Sequence, residues 1–289
     1  MGLFDGLFGR KKQAANDPLE KVSVLPGLEL SKALADYWPQ MEATKRASIK
    51  IIATPVEDPH CRKNSFGCYP TIPRGFAYPR DENGNFLYPL AQLHCADMPP
   101  LAGYPDSGYL QFYIAVKDND VYGLDFDDQV TQKNFRVLYF EENDVWDPET
   151  DFDFLAEIIH SDYSPVNKPH SLEFALQTDY LGANEIAFDA NTAFLEKLRR
   201  KYPQLVDDFG DELYDSFPCN GHKLGGYAYF TQNDPRQYNA AYKDWLLLFQ
   251  MDSDEDIMWG DVGVGNFFIP PDNLKRKDFS TILYNFDCS

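Results

Sequence analysis

The fold is indicated by one stretch near the C-terminus, in which residues 221–236 read GHKLGGYAYFTQNDPR and residues 245–270 read WLLLFQMDSDEDIMWGDVGVGNFFIP. Gly225-Gly226 predicts a tight turn, because glycine adopts backbone conformations that other residues avoid. The apolar run Trp245–Met251, interrupted only by Gln250, predicts a strand that is buried on both faces. Asp261-Val262-Gly263 predicts a second turn, which leads into another strand at residues 266–269.

Two earlier parts of the chain repeat this layout. Phe66–Tyr69 matches Leu224–Tyr227, and Leu90–Gln92 matches Leu248–Gln250, both 158 positions apart. Residues 106–114, DSGYLQFYI, match residues 261–269, DVGVGNFFI, without a gap and 155 positions apart. Three ordered matches at nearly one separation predict an internal duplication, in which two β-rich halves (about residues 45–140 and 171–289) pack around a pseudo-two-fold axis.

Composition favours a fold built from short strands. Aromatic residues make up 15% of the 289 residues, while 20 prolines and 18 glycines supply turns. We therefore expect an α+β fold that is mainly β, a pseudo-duplicated β-rich roll with a few peripheral helices. Residues 17–289 are expected to form one domain containing both pseudo-repeats, with residues 1–16 as a separate tail.

Charge and cysteine content restrict the partners and the compartment. A net charge of -20 argues against a nucleic-acid partner, because phosphate backbones require a basic surface. The sequence has no run of 18 apolar residues and no secretory signal, and its five cysteines include no CxxC pair. Such cysteines are typical of free thiols in a reducing compartment. We expect a cytoplasmic protein that needs no cofactor.

The first residues, MGLFDGLFGRKKQAAN, form a distinct amphipathic pattern. Leu3, Phe4, Leu7 and Phe8 share one face of a predicted helix, and three basic residues follow. Such a segment can lie in an anionic membrane interface, which makes a membrane-surface adaptor one alternative function. The other interpretation is a frayed tail or a small helix docked on the domain.

Periodicity predicts the remaining elements in outline. Leucine spacing in residues 28–45 predicts a helix that Pro39 kinks or ends, and residues 191–202 predict a second helix capped by Asn191. The predicted strands cover residues 48–54, 87–93, 109–116, 135–140, 171–180 and 278–286. Residues 141–168 are acidic and irregular, and we take them as the boundary between the halves.

Several of these pieces resemble a known family. HKLGGYAYFTQNDPR, LLLFQMDSDEDIMWGDVGVGNFFI and, in the first half, FGCYPTIPRGFAYP with PLAQL are similar to the YwqG-like family, known by its domain label DUF1963. The likeness covers most of residues 45–289. It implies a β-rich roll with helical additions, in proteins that are mostly bacterial and cytoplasmic, and it implies no catalytic residue because the family has no assigned biochemical function. Cys68 departs from the family, which more often has a second glycine there.

An acidic run, DSDED at residues 252–256, follows the predicted buried strand. Its alternating aspartates resemble a calcium loop, because hard cations require several converging carboxylates. Ile257 and Gly263, however, replace the glycine and glutamate of an EF-hand loop. The alternative function is a metal-dependent hydrolase, with His222 and Arg236 for acid–base work or substrate charge and with four candidate metal ligands: Asp252, Asp254, Asp256 and Asp261. A solvated loop is the simpler interpretation.

A zinc site is a further alternative in the first half. Its candidate ligands are His60, Cys61, Cys68, His94 and Cys95, since thiolates and imidazoles bind zinc tetrahedrally. The spacing of Cys61 and Cys68 matches no familiar zinc motif, and adjacent His-Cys pairs point in opposite directions on a strand. Ordinary core cysteines are the favoured interpretation.

Gln92 and Gln250 are the polar residues within two matched apolar runs. A buried amide needs hydrogen-bond partners. Each glutamine either bonds a loop of its own half or lines, with aromatic residues, a cleft between the halves that would be the default ligand site. His222 and Arg236 flank the second glycine turn and complete this candidate ligand set. For Arg236 the alternative is a local ion pair that pins its loop.

Taken together, these patterns favour a non-catalytic binding module over an enzyme. The sequence contains no Ser-His-Asp or Cys-His set with a recognisable local signature. The expected partner is a protein or a small ligand held in a cleft between the two β-rich halves. The hydrolase and the membrane-surface adaptor are the alternatives.

Overall fold

The computed structural model describes residues 17–60, 63–117, 121–182 and 193–289. The amphipathic tail of residues 1–16, Cys61 and the expected helix cap Asn191 lie outside the described residues. The membrane-surface interpretation of the tail therefore stays a prediction. In the described part of the chain, no helix has both the length and the apolar character that crossing a bilayer requires.

The described chain opens with a small hairpin where a helix was expected. β1 (Lys21–Leu25) pairs antiparallel with β2 (Leu28–Ser31), and Gly27 turns between them with a φ of 83°. The predicted helix is therefore wrong for residues 28–31, because this turn and the pairing with β1 override the helical spacing of the leucines. Two short helices follow, α1 (Lys32–Ala35) and α2 (Trp38–Glu42). The helical segment is thus interrupted between Ala35 and Trp38, shortly before Pro39, which lies in the first turn of α2, where proline is tolerated.

The rest of the strands confirm the prediction of an α+β, mainly β fold. They form one antiparallel sheet of ten strands in the order β12-β11-β10-β9-β3-β8-β4-β5-β6-β7. Their bounds are β3 (Arg46–Pro55), β4 (Ser65–Phe66), β5 (Tyr88–His94), β6 (Tyr109–Ile114), β7 (Phe135–Phe140), β8 (His170–Asp179), β9 (Lys223–Gly225), β10 (Leu246–Asp252), β11 (Val264–Ile269) and β12 (Leu283–Asp287).

The strand order is symmetric about its centre. β3 and β8 pair along their whole length at the middle of the sheet. On one side of them lie β4 to β7, which we call the first wing, and on the other lie β9 to β12, which we call the second wing. The central strands are exchanged: β3 precedes the first wing in the chain but pairs with β9, while β8 precedes the second wing but pairs with β4. Neither wing is therefore a separate sheet.

Both wings also carry the same irregularity. The register of β5 shifts between Pro89 and Ala91, and that of β10 shifts between Leu247 and Phe249. These positions are 158 residues apart, the separation of the sequence matches. The two wings thus share a bulge as well as a sequence pattern.

The sheet curls until its two edges meet. The ring centroids of Phe135 on β7 and Tyr284 on β12 lie 5.1 Å apart. Gln132 Nε2 donates to the carbonyl of Phe279 at 2.8 Å, and the backbone N–H of Tyr284 donates to the carbonyl of Gln129 at 2.9 Å. We call the junction between β7 and residues 277–287 the seam.

The curled sheet encloses an aromatic core drawn from both wings. The rings of Phe112 and Phe249 lie 4.6 Å apart, and those of Phe112 and Phe267 lie 5.0 Å apart. These three side chains are fully buried. Strands β5, β6 and β11 are buried along their entire length, as their near-continuous apolar sequence predicts.

The helices lie outside this core. α4 (Phe194–Lys201) and α5 (Val206–Ser216) pack on α1 and α2 around a second apolar cluster that includes Phe194 and Leu213. The predicted helix at residues 191–202 is confirmed from residue 194 onward. α5 was not predicted, although Phe209 and Leu213 have helical spacing. Two further short helices are α3 (Ala156–Ile159) and α6 (Pro271–Lys275).

Candidate functional site

The amide of Gln92 holds together the loops of the first wing. Its Oε1 accepts from the backbone N–H of Thr71 at 2.6 Å and from Gln111 Nε2 at 2.8 Å. Its Nε2 lies 3.4 Å from the carbonyl of Lys63. Gln111 Nε2 donates in turn to the carbonyl of Thr71 at 2.7 Å.

Gln250 bonds the corresponding backbone groups in the second wing. Its Oε1 accepts from the backbone N–H of Tyr229 at 2.8 Å, and its Nε2 donates to the carbonyl of Gly221 at 2.8 Å. Asn266 Nδ2 donates to the carbonyl of Tyr229 at 2.9 Å. Gly221, Tyr229 and Asn266 lie 158, 158 and 155 positions after Lys63, Thr71 and Gln111, their counterparts in the first wing.

These contacts support the interpretation that each of the two glutamines bonds a loop of its own half. Both side chains are buried, and backbone groups and neighbouring amides occupy their oxygens and nitrogens. A buried amide with satisfied partners stabilises the turn that it bonds. Ligand binding by Gln92 or Gln250 stays a prediction, and it would require these bonds to break.

The second glycine turn covers a buried ion pair. Lys223 Nζ lies 2.8 Å from Asp179 Oδ2, with the two side chains 1% and 6% exposed. Asp179 also accepts from Ser48 Oγ at 3.0 Å and from the backbone N–H of Tyr227 at 3.2 Å. A Cβ at position 226 would overlap this carboxylate, so only glycine fits there.

Sequence reasoning missed this pair, although one signal was available. Lys223 lies immediately before Leu224, the first residue of the matched segment Leu224–Tyr227, and both residues belong to the buried strand β9. Charged residues are almost never fully buried unless they are paired, so a lysine at this position implies a buried carboxylate. Asp179, 44 positions away, could not be identified without the strand pairing.

A cavity of about 310 Å³ lies where the two wings meet. We call it the inter-half cavity. One wall is the segment 100–104 of the first wing, and the other is formed by Gly225, Gly226, Leu246 and Leu247 of the second wing. The ends of the central strands contribute Arg46, Ala47 and Leu176, the last of which is 60% exposed.

The corresponding position between β4 and β5 of the first wing is filled. Residue 88 corresponds to residue 246, and Gly67 to Gly225, at a separation of 158 positions. Tyr88 is 1% exposed, and its hydroxyl oxygen would lie 2.5 Å from a Cβ placed on Gly67. In the second wing, Leu101 and Tyr104 cover Gly225 instead, since a Cβ placed there would lie 2.8 Å from Leu101 Cδ2. Leu246 is shorter than a tyrosine and borders the inter-half cavity.

Arg46 provides the charge at the rim of the inter-half cavity. Its guanidinium carbon lies 4.2 Å from the centroid of the Tyr227 ring, and Arg46 is exposed. Among the residues that the structure describes, no carboxylate forms an ion pair with it. Tyr104, the other titratable residue of the lining, donates its hydroxyl to the carbonyl of Leu247, and burial raises its pKa.

His222 is held between two of the candidate metal ligands. Its Nδ1 accepts from the backbone N–H of Asp252 at 3.0 Å, and its Nε2 lies 3.0 Å from Asp254 Oδ2. The hydrogen bond to His222 lowers the pKa of Asp254 to about 2. Burial raises the pKa of Asp252 instead, against the effect of its bond from the backbone N–H of Gly221. His222 also lines a second, more polar cavity of about 300 Å³.

The other two candidate metal ligands have different surroundings. Asp256 Oδ1 forms an ion pair with Lys168 Nζ at 2.8 Å. The backbone carbonyl of Asp261 accepts from the N–H of Ser289 at 3.2 Å. Across the described residues, no three His, Cys, Asp or Glu side chains are grouped closely enough to hold a metal ion. A metal-dependent hydrolase stays a prediction for which this geometry offers no support.

The described candidate zinc ligands also have separate partners. His94 Nδ1 lies 2.9 Å from Asp97 Oδ2, and its Nε2 lies 3.1 Å from Glu142 Oε2. Cys68 and Cys95 are buried and form no disulfide with another described cysteine, as the favoured interpretation of core cysteines expected. Burial raises the pKa of the Cys95 thiol to about 12.

Arg236 pins its own loop. Its Nη2 lies 2.6 Å from Asp234 Oδ2, and its Nη1 donates to the carbonyl of Trp245 at 2.9 Å. Its guanidinium also stacks on the Phe268 ring at 4.5 Å, and the side chain is 4% exposed. The local ion pair that was the alternative to ligand binding is therefore present, while ligand binding by Arg236 stays a prediction.

Comparison with known proteins assigns the chain a family but no activity. A family model described as a domain of unknown function, DUF1963, matches residues 64–288. The curated proteins include no match. The match begins just before β4 and extends through β12, so it covers both wings but not β3, which contributes Arg46 and Ala47 to the inter-half cavity.

Proposed function

Since the chain belongs to the DUF1963 family, whose description assigns no function, we propose one from the geometry: a non-catalytic binding module that holds a small ligand in the inter-half cavity. The observation that carries this proposal is the difference between two corresponding positions. Tyr88 covers Gly67 in the first wing, whereas at the other position Leu101 and Tyr104 cover Gly225, and the shorter Leu246 borders a cavity of about 310 Å³. This volume lies within the range of about 300–1,000 Å³ that is typical of ligand sites.

The lining defines the chemistry of the ligand. Leucine, alanine and proline side chains and two glycines form most of the wall, so the buried part of the ligand is apolar. Arg46 at the rim has no carboxylate partner within the described residues, and a guanidinium binds a carboxylate through two parallel hydrogen bonds. The proposed ligand therefore has a compact apolar body and one carboxylate.

The same lining supports binding rather than catalysis. Among the described residues around the cavity, Arg46 and Tyr104 are the titratable ones. Arginine remains protonated, and burial raises the pKa of Tyr104 above its ordinary value. Neither group is suited to general acid–base work near neutral pH.

A ligand series with two variants tests the proposal. Thermal unfolding and calorimetry of the full chain are measured with phenylacetate and hexanoate and with the matched amides. The carboxylates are expected to raise the midpoint through mass action and the amides to bind about tenfold more weakly, since one charge-assisted interaction is lost. Leu246→Tyr, which copies the residue of the first wing, is expected to abolish binding.

Arg46→Met tests the charge separately. This variant is expected to remove the preference for carboxylate over amide while retaining weak binding of the apolar body. Arg74→Met, which removes an exposed arginine paired with Asp147, is the control for the change in net charge. Unchanged binding by a folded Leu246→Tyr variant would show that the cavity is not the site.

We also infer that the two wings arose by internal duplication with exchange of β3 and β8. The shared bulges and the repeated amide contacts support this history. We further propose a cytoplasmic location, supported by the absence of a disulfide among the described cysteines Cys68, Cys95, Cys219 and Cys288. Secretion of the tagged full-length protein by its source cells would contradict that location.

A further inference from the structure

A third cavity, of about 390 Å³, lies on the seam. We call it the seam cavity. β7 forms one side with Arg136 and Tyr139, and the turn before β12 forms the other with Lys277, Asp278 and Ser280. It is separate from the inter-half cavity, with which it shares no lining residue.

Arg136 is the cation of this cavity that has no ion-pair partner among the described residues. Its Nε is shielded from solvent and has no hydrogen-bond partner. Within the described ranges, no carboxylate or carbonyl bonds the rest of its guanidinium either. A guanidinium carries five N–H donors, and buried donors are almost always bonded. An arginine without partners beside a cavity therefore indicates an acceptor that comes from outside the chain.

The neighbouring charges do not neutralise Arg136. Asp278 Oδ1 accepts from the backbone N–H of Ser280 at 3.1 Å and from its Oγ at 2.6 Å, so this oxygen is occupied within its own turn. Lys277 Nζ lies 3.0 Å from Glu141 Oε1, which balances the lysine. The same Nζ donates to the Tyr139 hydroxyl at 3.0 Å. The lining therefore carries two cations, Arg136 and Lys277, against the ionised carboxylate of Asp278. Lys277 is paired with Glu141, and Arg136 is the cation that forms no ion pair within the described residues.

The geometry points to an oxyanion site: we propose that the seam cavity binds a carboxylate or phosphate group carried on a small organic body, with Arg136 as its anchor. Both groups present paired oxygens that match the arginine fork. The cavity exceeds the volume of a bare ion, and the Tyr139 and Phe279 rings, with centroids 5.6 Å apart, provide an apolar wall for the body. This proposal is independent of the inter-half cavity.

The net charge of -20 does not oppose such a site at contact distance. At physiological ionic strength the Debye length is about 8 Å, so most acidic residues of the chain are screened from the cavity. A guanidinium in contact with the anion and partly shielded from solvent is screened much less. The distributed charge reduces the rate of encounter more than the strength of the contact.

Calorimetric titration of the full chain tests the proposal. The probes are phenyl phosphate, benzoate and inorganic phosphate, with benzamide as the uncharged control. The titrations use the Leu246→Tyr background, in which the inter-half cavity is closed to carboxylates. Phenyl phosphate and benzoate are then expected to bind at one site, and adding Arg136→Met is expected to weaken both by about ten- to a hundredfold, the loss typical of a hydrogen-bonded charge. Which of the two binds more tightly distinguishes a phosphate ligand from a carboxylate ligand.

Two further variants make the result decisive. Arg136→Lys keeps the charge but loses the fork, so its affinity is expected to lie between those of wild type and Arg136→Met. Arg74→Met carries the same change in net charge and is expected to bind as wild type does. In the Leu246→Tyr background, absence of binding, or equal losses on adding Arg136→Met and Arg74→Met, would overturn the proposal. Because the inter-half cavity is closed in that background, these results do not bear on the ligand proposed for it.

Discussion

Removing the charge of Lys223 is expected to destabilise the fold strongly. Its Nζ lies 2.8 Å from Asp179 Oδ2, and both side chains are almost completely buried. At this separation and an effective dielectric constant of about 20, the Coulomb attraction is about 6 kcal/mol, much of which offsets the desolvation of the two ions. Lys223→Met keeps the aliphatic stem but leaves the carboxylate without its counter-ion. We expect it to lower the free energy of unfolding by about 3–5 kcal/mol.

Removing both charges is expected to cost less than the two single changes together. Asp179→Asn leaves the ammonium unpaired and should cost at least as much as Lys223→Met, because Ser48 and Tyr227 bond different carboxylate oxygens and the single amide oxygen can replace only one of them. The double variant has no buried charge. A coupling free energy of about 2 kcal/mol or more is therefore expected between the two sites.

Urea unfolding measures these free energies. Fluorescence of the 4 tryptophans and far-UV circular dichroism should give coincident transitions, which is the condition for a two-state treatment. Lys50 on β3 lies directly opposite Lys223 and is exposed, so Lys50→Met is the matched control. Its free energy of unfolding is expected to lie within about 0.5 kcal/mol of the wild-type value. Equal effects of Lys50→Met and Lys223→Met, or additive losses in the double variant, would refute this reasoning.

Three shorter predictions follow. Gly226→Ala should lower the free energy of unfolding by at least about 2 kcal/mol more than Gly84→Ala, because both have positive φ but only position 226 lacks space for a Cβ; equal urea midpoints would contradict this. Cys95, whose pKa burial raises to about 12, should resist iodoacetamide in the native protein at about pH 8 and react after unfolding, as mass spectrometry can show. The hydrogen bond from His222 lowers the pKa of Asp254 from its ordinary value of 3.8 to about 2. This bond therefore stabilises the fold fully above pH 3.8, and the stabilisation is lost as the pH falls toward 2. The difference in melting temperature between wild type and Asp254→Asn should shrink as the pH falls from about 4 to 2.

Several features of the fold follow from local patterns in the sequence. The apolar runs around Gln92 and Gln250 predict buried strands, because a strand covered on both faces needs apolar residues at successive positions. The glycine turns and the matched segments predict two similar halves. Residues 28–31 show the limit of such patterns, since leucines with helical spacing also satisfy one face of a hairpin once a partner strand is available.

The candidate sites depend on contacts that no local pattern records. Gly225, Leu246 and the segment 100–104 enclose a cavity only because β3 and β8 bring the two wings together, and Arg136 lies beside Lys277 only because the sheet curls until its edges meet. Sequence alone determined which residues are apolar, which turn and which carry charge. The tertiary structure decided which charges are paired and which spaces stay open, because pairing and packing depend on distances between residues that are far apart in the chain.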